Sequence, residues 1–585
     1  MWHDGRFDGI EGEVVRARGL GVLTACAALS LALAGCTNTP PPPLVTTNVA
    51  STKPAPKPQT QQVVVGLNSV SGGYNPHTLA DRSTVTSALS SLLLPSVFRQ
   101  APDGTPELDR SVVASAAVTS AVPFTVTYTV RTDASWSDGV PIAAEDFVYL
   151  RDAMATQPGV IDPGGYRLIS DISARANGKV VQVTFSKPYP GWRSLFTDLL
   201  PAHLLKDAPG GWQNALAGSF PAVAGPFAVR SLDTARGEIV LERNDRYWAD
   251  PALPDQVVLR KAPVDDVVKG LRTGDVQLAS LAASAQVMTA LHNLGDRVTV
   301  TPVARPNVVQ LLLRPSGPAL GDQRVRRAVA AAIDRNALIH DGLSMAAGSL
   351  RDDSLVLAPS QAGYHATMPS DAPGAAPRPA TVRSQLAAAG YHHSDAGWSK
   401  AGKPLRLRIA APQGAQPYDA LAQQLARQLT AAGIKASVST PPAAQLYGTL
   451  LAAHGGDQGI GKGSAAHGID IVVAPRPVTS DPTATLAAEF GCPEAGARQP
   501  VPPNPSGFCD PALQPTITAA LTGDLARSEA LAALAPALWS QAVVIPLFQQ
   551  ADEVVVGKDM TGVAHSAPLV APFPSAPEWR RSGIR

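Results

Sequence analysis

The sequence predicts a multi-domain α/β protein, and three observations support that fold class. The chain has 585 residues, which is more than one hydrophobic core organises, so two or three domains are expected. Residues 123–131 alternate between apolar and polar side chains, as half-buried strands do. A stretch near the middle of the chain repeats apolar residues at the spacing of one helix face, at Val325, Ala328, Val329, Ala332 and Ile333.

The amino-acid composition and charge limit the kinds of molecule that the protein is expected to bind. Charged residues make up 16% of the chain and balance to a formal net charge of +1, without a basic block. Such a balance argues against a nucleic-acid surface. The chain contains 54 Pro and 49 Gly, which is typical of loop-rich extracytoplasmic proteins, and its 45% hydrophobic residues are enough for a real core. No nucleic-acid partner is therefore expected.

The N-terminal region predicts export and a lipid anchor. Residues 19–34 form an apolar run that suits the core of a signal peptide and is short for a membrane span. The run ends in L-A-G-C at residues 33–36, which resembles a bacterial lipobox, where the Cys36 thiol takes the lipid. We therefore predict a signal peptide over residues 1–35. A lipidated Pro/Thr-rich tether over residues 36–62 would hold the protein at the outer face of the plasma membrane.

The four cysteines fit an oxidising compartment. Cys26 leaves with the signal peptide and Cys36 takes the lipid, so Cys492 and Cys509 remain. Outside the membrane such a pair is expected to form a disulfide, and closing a loop of this size stabilises a fold by roughly 3 kcal/mol. The alternative is zinc ligation by the two cysteines, although no His or Cys flanks them at zinc-finger spacing.

The first half of the chain alternates strands and helices. Pro95 ends the first helix because proline cannot continue one, and Asp138 precedes a glycine in strong turn chemistry. Glu145 and Asp146 lie in the first turn of the next helix, where negative charge is favourable, so we interpret these carboxylates as structural rather than catalytic. The predicted elements are a strand at 63–66, a helix at 83–93, a strand at 123–131, a turn at 136–141, a helix from 143 and a strand at 180–185.

The second half of the chain also alternates strands and helices, before and after the helix that contains Val325. Asp322 stands where a helix N-cap acceptor is wanted. The polar residues of this stretch fall mostly outside the apolar stripe, which predicts an amphipathic surface helix; they are Gln323, Arg324, Arg326, Arg327, Asp334 and Arg335. The other predicted elements are strands at 308–314, 405–409 and 470–473, a helix at 422–434 and a returning segment at 538–548.

Three phrases of the sequence resemble the wording of one protein family. Residues 129–147 read T-V-R-x-x-A-x-W-S-D-G-x-P-[apolar]-x-A-x-D-[aromatic]. Residues 225–227 and 239–248 follow G-P-[aromatic] and [apolar]-x-R-N-x-x-Y-W, and residues 322–335 form the third phrase. In this order they resemble the family 5 extracytoplasmic solute-binding proteins, the peptide and nickel receptors of ABC importers. The likeness extends over most of residues 63–570.

The resemblance implies an α/β fold of the periplasmic-binding-protein type II-like class, with two lobes around a cleft and an extra small subdomain in the first lobe. It implies lobe I over residues 63–105, its outlying subdomain over 106–220, lobe I again over 221–307, lobe II over 308–530, and a C-terminal return to lobe I over 531–585. It also implies a binding protein that is not an enzyme and needs no cofactor.

Several further phrases resemble one subgroup of actinobacterial lipoproteins within the family. They are residues 74–81, 94–98, 156–169 and 188–203, with the surroundings of Cys492 and Cys509. That subgroup is linked to the branch between polar phosphatidylinositol mannosides and lipoarabinomannan. The resemblance implies a monoacyl phosphatidylinositol tetramannoside-type ligand and an influence on this biosynthesis, with mannosyltransferase machinery as a partner. The alternative is an oligopeptide-binding receptor that delivers to an ABC permease.

Candidate ligand residues follow from the kind of side chain that such a cleft uses. Aromatic rings stack on sugars or on peptide side chains, while amides and arginines fix polar groups. The candidates are Tyr74, Asn75, His77, Trp212, Gln310, Arg314 and Tyr447. We assign Trp136, Tyr247 and Trp248 to the core instead, because the motifs of the family contain these residues in receptors with unrelated ligands.

Other chemistry finds little support in the sequence. Residues 456–464 come within one residue of a P-loop, but Gly463 stands where the Mg²⁺-binding hydroxyl is required, so a loop is expected. His392 and His393 are adjacent, so their side chains diverge, and we expect solvent-facing loop residues rather than metal ligands. The sequence therefore predicts no catalytic and no metal site. An acidic anchor would favour a peptide ligand, and an apolar groove beside aromatic and polar groups would favour a mannolipid.

Overall fold

The structure is a computed structural model that describes residues 61–70, 72–101, 105–316, 319–344, 350–452, 468–493, 502, 504–564 and 572–582. Cys36, the signal peptide and the tether up to residue 60 lie outside the described residues, as does the near P-loop at 456–464. Within the described ranges, no helix is both long and apolar enough to cross a membrane.

Strands and helices alternate along the chain as predicted, although two strands, Val298–Leu313 and Val544–Gly557, are longer than the patterns indicate. The strands are β1 (Gln62–Leu67), β2 (Phe98–Gln100), β3 (Pro106–Leu108), β4 (Val113–Ala121), β5 (Phe124–Val130), β6 (Ile169–Arg175), β7 (Val180–Phe185), β8 (Phe227–Asp233), β9 (Glu238–Arg243), β10 (Gln256–Lys261), β11 (Leu278–Ala282), β12 (Val298–Leu313), β13 (Leu350–Arg351), β14 (His392–Ser394), β15 (Gly397–Lys400), β16 (Lys403–Pro404), β17 (Arg406–Ala410), β18 (Lys435–Ser439), β19 (Ile471–Pro477), β20 (Val544–Gly557), β21 (Met560–Thr561) and β22 (Arg580–Arg581). The helices are α1 (Thr84–Leu93), α2 (Ala144–Thr156), α3 (Gly164–Arg167), α4 (Ala202–Leu205), α5 (Gly211–Asn214), α6 (Val264–Thr273), α7 (Ala285–His292), α8 (Gln323–Ala332), α9 (Arg335–Ser344), α10 (Pro379–Ala388), α11 (Tyr418–Ala431), α12 (Ala443–Gln445), α13 (Pro482–Phe490), α14 (Gln514–Thr522) and α15 (Arg527–Gln541).

One long sheet runs through both lobes. Its strand order is β18-β17-β19-β12-β20-β11-β1-β10-β9-β8, with β13 beside β20. The parallel set β11-β1-β10 lies in the first lobe, and the parallel set β18-β17-β19 lies in the second. β1 is almost wholly buried, as expected of a strand with parallel neighbours on both sides. The two lobes are therefore two α/β layers that share their middle strands.

Strands β12 and β20 connect the lobes. They pair antiparallel along most of their length, with a register shift between Ala304 and Val308. At this shift the Arg305 Nε donates to Asp552 Oδ1 at 2.7 Å. The same buried carboxylate accepts from Thr84 Oγ1 at 2.9 Å and from Ser280 Oγ at 3.1 Å. A polar crossing point thus separates two apolar cores.

The outlying part of the first lobe is a four-stranded antiparallel sheet in the order β4-β5-β7-β6, backed by α2. Its aromatic residues Tyr128, Phe147 and Phe196 pack together and belong to the same hydrophobic core as β1. Trp136 is 1% exposed and lies in that core, as predicted. Trp248 is half-buried and packs against that core, and the Tyr247 ring, which is also half-buried, lies 5.1 Å from the Trp248 ring between centroids.

Helix α8 forms where its periodicity predicts it, and Asp322 caps it by accepting from the Arg324 backbone N–H at 2.9 Å. The surface position expected of its polar residues is wrong for two arginines. Arg326 is 4% exposed and Arg335, at the start of α9, is fully buried. Arg326 Nε donates to the Gln541 carbonyl at 3.0 Å, and Arg335 Nε donates to the Pro546 carbonyl at 2.7 Å. Both side chains therefore tie these helices to the C-terminal segment.

Two further sequence motifs have a definite place. Cys492 and Cys509 form a disulfide with an S–S distance of 2.10 Å, directly after α13. His392 and His393 lie on the short strand β14 rather than in a loop, and both are exposed. The His393 ring packs on Trp398 at a centroid distance of 4.8 Å, which is an ordinary hairpin contact.

Candidate functional site

A cavity of about 310 Å³ lies where the first lobe, its outlying sheet and the second lobe meet. Its wall contains many hydroxyl groups, from Ser87, Ser90, Ser91, Ser96, Ser194, Thr197, Thr479 and Ser480. Its charged groups balance in number, with Arg82, Arg99 and Arg193 against Asp162, Asp198 and Asp481. Apolar side chains complete it, among them Phe98, Met154, Ile161, Leu195, Ala484 and Phe573.

Helix α1 supplies one wall because its small polar residues recur at helical spacing. Ser87, Ser90 and Ser91 stand at i, i+3 and i+4, so they share one face of the helix. Ser90 Oγ donates to the Ser87 carbonyl at 3.2 Å, and Ser91 Oγ donates to the Ala88 carbonyl at 2.8 Å. Each hydroxyl oxygen can still accept a hydrogen bond from a ligand.

Arg82, just before α1, connects the first lobe to the crossing strands and the second lobe. Its Nη2 donates to the Pro306 carbonyl at 2.9 Å and to the Val478 carbonyl at 3.4 Å. Burial lowers the pKa of this guanidinium, and the nearby carboxylates of Asp162 and Asp198 oppose that shift. Arg82 thus keeps its positive charge beside the cavity while it spans the two lobes.

Asp162 is the most perturbed carboxyl group of the cavity. Burial, together with the nearby Asp481 and Glu489 carboxyl groups, raises its pKa to about 7. Hydrogen bonds from Thr479 Oγ1 and Thr485 Oγ1, the latter at 3.1 Å, act in the opposite direction. Near neutral pH this group therefore exists in both protonation states.

The opposite wall contains a histidine held by a backbone carbonyl. His77 Nε2 lies 2.9 Å from the Asp198 carbonyl oxygen, and because that oxygen can only accept, the Nε2 carries the proton. Burial lowers the pKa of His77, so its ring is neutral at pH 7. Ser96 Oγ accepts from the Asp198 backbone N–H at 2.8 Å and fixes this loop. This wall therefore offers a neutral imidazole and a serine hydroxyl beside the Asp198 side chain.

The structure brings two of the seven predicted ligand residues to cavity walls. His77 lines the main cavity, and Tyr447 lines a smaller neighbour of about 50 Å³ that shares Ile161 and Asp162 with it. Trp212 lies behind His77, with ring centroids 6.2 Å apart. The remaining four, Tyr74, Asn75, Gln310 and Arg314, are buried without lining either cavity.

The buried candidates have internal partners. Tyr74 Oη donates to the Val70 carbonyl at 2.7 Å. Gln310 Nε2 donates to Glu489 Oε2 at 3.0 Å, and Arg314 Nη2 donates to the Leu451 carbonyl at 3.1 Å. Burial lowers the pKa of Arg314 to about 10. Among the described residues, one buried polar atom lacks a hydrogen-bond partner in each of Asn75, Trp212, Gln310, Arg314 and Tyr447.

Sequence reasoning missed most of the charged cavity wall. Arg82 and Asp162 lie beside or inside phrases that carry the subgroup resemblance, so their position was the available signal. Asp198 also lies inside such a phrase, at residues 188–203, whereas Asp481 belongs to a loop whose composition resembles any other turn. The described residues contain no group of three or more His, Cys, Asp or Glu side chains that could hold a metal ion.

Comparisons with known proteins agree with this architecture. The family model described as bacterial extracellular solute-binding proteins, family 5 Middle, matches residues 110–463. A probable monoacyl phosphatidylinositol tetramannoside-binding protein of Mycobacterium tuberculosis, LpqW, is 33% identical over 96% of this chain and 98% of its own. The oligopeptide-binding protein OppA of Mycobacterium bovis is 28% identical over 55% of this chain and 54% of its own.

A solved structure confirms the predicted fold. The oligopeptide-binding protein AppA of Bacillus subtilis, in complex with a nonapeptide, superposes with a TM-score of 0.69, covering 90% of this chain and 100% of its own at 15% identity. That identity shows the fold alone, which is the two-lobed α/β fold of periplasmic-binding-protein type II-like receptors. Family 5 proteins bind peptides or other ligands, often together with ABC permeases, and they are not enzymes. This chain belongs to the bacterial extracellular solute-binding proteins of family 5.

Proposed function

We propose that this protein binds a monoacyl phosphatidylinositol tetramannoside-type glycolipid in the cell envelope and thereby influences phosphatidylinositol mannoside and lipoarabinomannan biosynthesis. The observation that carries the proposal is the near full-length similarity to LpqW. In this view the protein is held at the membrane by a lipid on Cys36. Its partners are the glycolipid and, through it, the mannosyltransferase machinery or an ABC permease.

The wall chemistry of the main cavity supports a sugar ligand. A sugar hydroxyl both donates and accepts hydrogen bonds, so it pairs with serine and threonine hydroxyls, carboxylates and guanidinium groups alike. The cavity offers all three around an apolar floor that includes Phe98 and Phe573. A peptide amino terminus would instead need a lasting negative charge, whereas Asp162 is partly protonated near pH 7.

The volume of the cavity indicates how much of the glycolipid it holds. A volume of about 310 Å³ lies at the lower end of the range of about 300–1,000 Å³ that is usual for pockets of small-molecule ligands. A tetramannoside with its inositol and acyl chains is larger than such ligands. We therefore place part of the mannose headgroup in the cavity and the acyl chains outside it.

The alternative function is an oligopeptide receptor of an ABC importer. It is supported by the similarity to OppA, which extends over about half of this chain. It is also supported by the three cavity carboxyl groups, any of which lies where it could meet a peptide ammonium group. The two functions differ in whether binding depends on mannose.

The test is a competition by native mass spectrometry on the full-length protein in detergent. Monoacyl phosphatidylinositol tetramannoside, unmannosylated phosphatidylinositol and an oligopeptide mixture are offered together. We expect the mannoside complex to predominate. Ser87→Leu, which fills the hydroxyl wall of α1, should weaken it at least about tenfold, since the added side chain occupies ligand volume. Ser384→Leu on the exposed face of α10 is the matched control and should change nothing. Preferential capture of peptide would reject the mannolipid proposal in favour of the alternative.

A further inference from the structure

A second contact between the lobes lies away from the crossing strands, between helix α3 and residues 190–194 of the first lobe and the helices α13 and α14 of the second. We call it the seam, and define it by Asp162 and Tyr189 on the first side and by Thr479, Asp481 and Thr485 on the second. Tyr189 Oη donates to Asp481 Oδ2 at 2.6 Å. Thr479 and Thr485 donate to Asp162 Oδ2. Every one of these bonds joins residues that are about 300 positions apart in sequence.

Glycines allow the two sides of the seam to approach. A Cβ atom on Gly191 of the first side would lie 2.1 Å from Asp481 Oδ2 of the second. On the second side, a Cβ atom on Gly523 would lie 2.5 Å from Pro190, and this glycine also has a positive φ of 81°. Such distances are too short for real side chains. The seam is therefore built for contact in the closed arrangement of the lobes.

The seam also forms one boundary of the ligand cavity. Asp162, Asp481 and Ala484 line the cavity and at the same time belong to the seam or to its helix α13. Ala484 and Leu521 of the second lobe pack into the hydrophobic core of the first lobe. A ligand in the cavity cannot leave toward this side unless these contacts separate.

We propose that the seam is a latch that holds the two lobes closed over the ligand, with Tyr189 and Asp162 as its positioning residues, and that ionisation of Asp162 releases it. This inference concerns the regulation of the cavity and rests on the proposed binding function only for the identity of the ligand. Tyr189 and Asp162 act through lobe closure, so their effect appears in the rate of opening as well as in ligand retention.

The charges around Asp162 give the direction of the pH dependence. Burial is the main cause that raises the pKa of Asp162, and the Asp481 and Glu489 carboxyl groups on the second side add to it, while Arg82 on the first side already holds two carbonyls. The phenol of Tyr189 faces the same carboxylates, while Arg167 and Tyr447 share the wall of the smaller cavity with Asp162. Deprotonation adds a negative charge next to Asp481 and Glu489 across the seam. The latch is thus expected to weaken as pH rises.

The first test measures seam opening without any ligand. Amide hydrogen exchange of the full-length protein is followed in peptides that cover residues 158–168 and 478–491. Tyr189→Phe removes one hydroxyl that bonds a carboxylate, so the exchange protection of these peptides should fall about tenfold or more. Tyr128→Phe is the matched control, because Tyr128 on β5 is buried in the same hydrophobic core as Tyr189 and its hydroxyl has no partner among the described residues. Equal protection in the two variants would overturn the latch.

The second test varies pH, and its outcomes distinguish a failure of the latch from a failure of the proposed function. In the wild type, seam protection, corrected for intrinsic exchange, should fall between pH 5.5 and pH 8.5, and in Asp162→Asn it should stay constant. A pH dependence that persists in Asp162→Asn would also overturn the proposal. With bound monoacyl phosphatidylinositol tetramannoside, Tyr189→Phe should release the ligand about tenfold faster. If that glycolipid does not bind at all, the proposed function fails, while the exchange results still decide the latch.

Discussion

Replacing Arg326 by leucine should destabilise the second lobe, although this arginine stands on a helix that the sequence predicts to lie at the surface. Its guanidinium donates to the Leu320 carbonyl at 2.8 Å and to the Gly321 carbonyl at 3.2 Å. It also donates to the backbone carbonyl and the side-chain oxygen of Gln541, each at 3.0 Å. Leucine would leave the buried Leu320 carbonyl and the half-buried Gln541 carbonyl without these donors.

The expected magnitude follows from two opposing effects. An unsatisfied buried carbonyl costs about 1–3 kcal/mol, so losing these donors destabilises by several kcal/mol. Arg326 is, however, buried without a carboxylate in direct contact, and burial lowers its pKa, so its removal also relieves a desolvation cost. The hydrogen bonds predominate because four acceptors share one cation. We expect the free energy of unfolding to fall by about 2–4 kcal/mol.

The assay is urea unfolding followed by tryptophan fluorescence, since Trp398 and Trp539 are buried in the second lobe. Arg324→Leu on the same helix is the matched control, because its guanidinium is exposed and bonds Asp322 at the surface. The control should unfold at the urea concentration of the wild type. If Arg326→Leu and Arg324→Leu unfold at the same urea concentration, the buried arginine contributes nothing and the reasoning is refuted.

Three further predictions concern other buried groups. Asp146→Asn should lower the free energy of unfolding by about 2–4 kcal/mol, which thermal unfolding measures. The reason is that the Asp146 carboxylate accepts from the Trp136 ring N–H and from two backbone N–H groups, and an amide would turn a donor toward one of them. Replacing Cys492 and Cys509 together by serine should cost roughly 3 kcal/mol by loop-closure entropy, measured by urea unfolding of the double variant. Because the pKa of Asp162 is raised to about 7 in the folded protein, the native state holds a proton that the unfolded chain loses near pH 4. Stability should therefore fall by about 3 kcal/mol as pH rises from 4 to 7, and Asp162→Asn should remove this loss in unfolding curves recorded across that range.

Local pattern predicted the elements of this fold well. Residues 180–185 alternate and form β7 with those bounds, and Pro95 follows the end of α1. The cap at Asp322 was likewise visible, because a helix start depends on neighbours a few positions away. The resemblance to the motifs of the family predicted the two lobes, which hydrophobic periodicity alone cannot predict.

The candidate site was predicted only in part. His77 and Tyr447 reach cavity walls, whereas Gln310 and Arg314 find partners inside the second lobe and between its loops. Nothing in a sequence distinguishes an arginine that will meet a ligand from one that will meet a backbone carbonyl. Arg326 shows the same limit for stability, because its position on an amphipathic helix did not indicate that its guanidinium is buried.

The sequence by itself thus determined the order of strands and helices, the family and the pair of cysteines near the end of α13, and it predicts the export signal. Only the tertiary structure decided that Arg82, Asp162 and Asp481 line one cavity, and that Tyr189 donates a hydrogen bond to Asp481. The physical reason is distance along the chain. Patterns of hydrophobicity and capping act within a few residues, but the hydrogen bond from Tyr189 to Asp481 joins groups 292 residues apart, and its formation depends on how two whole lobes come together.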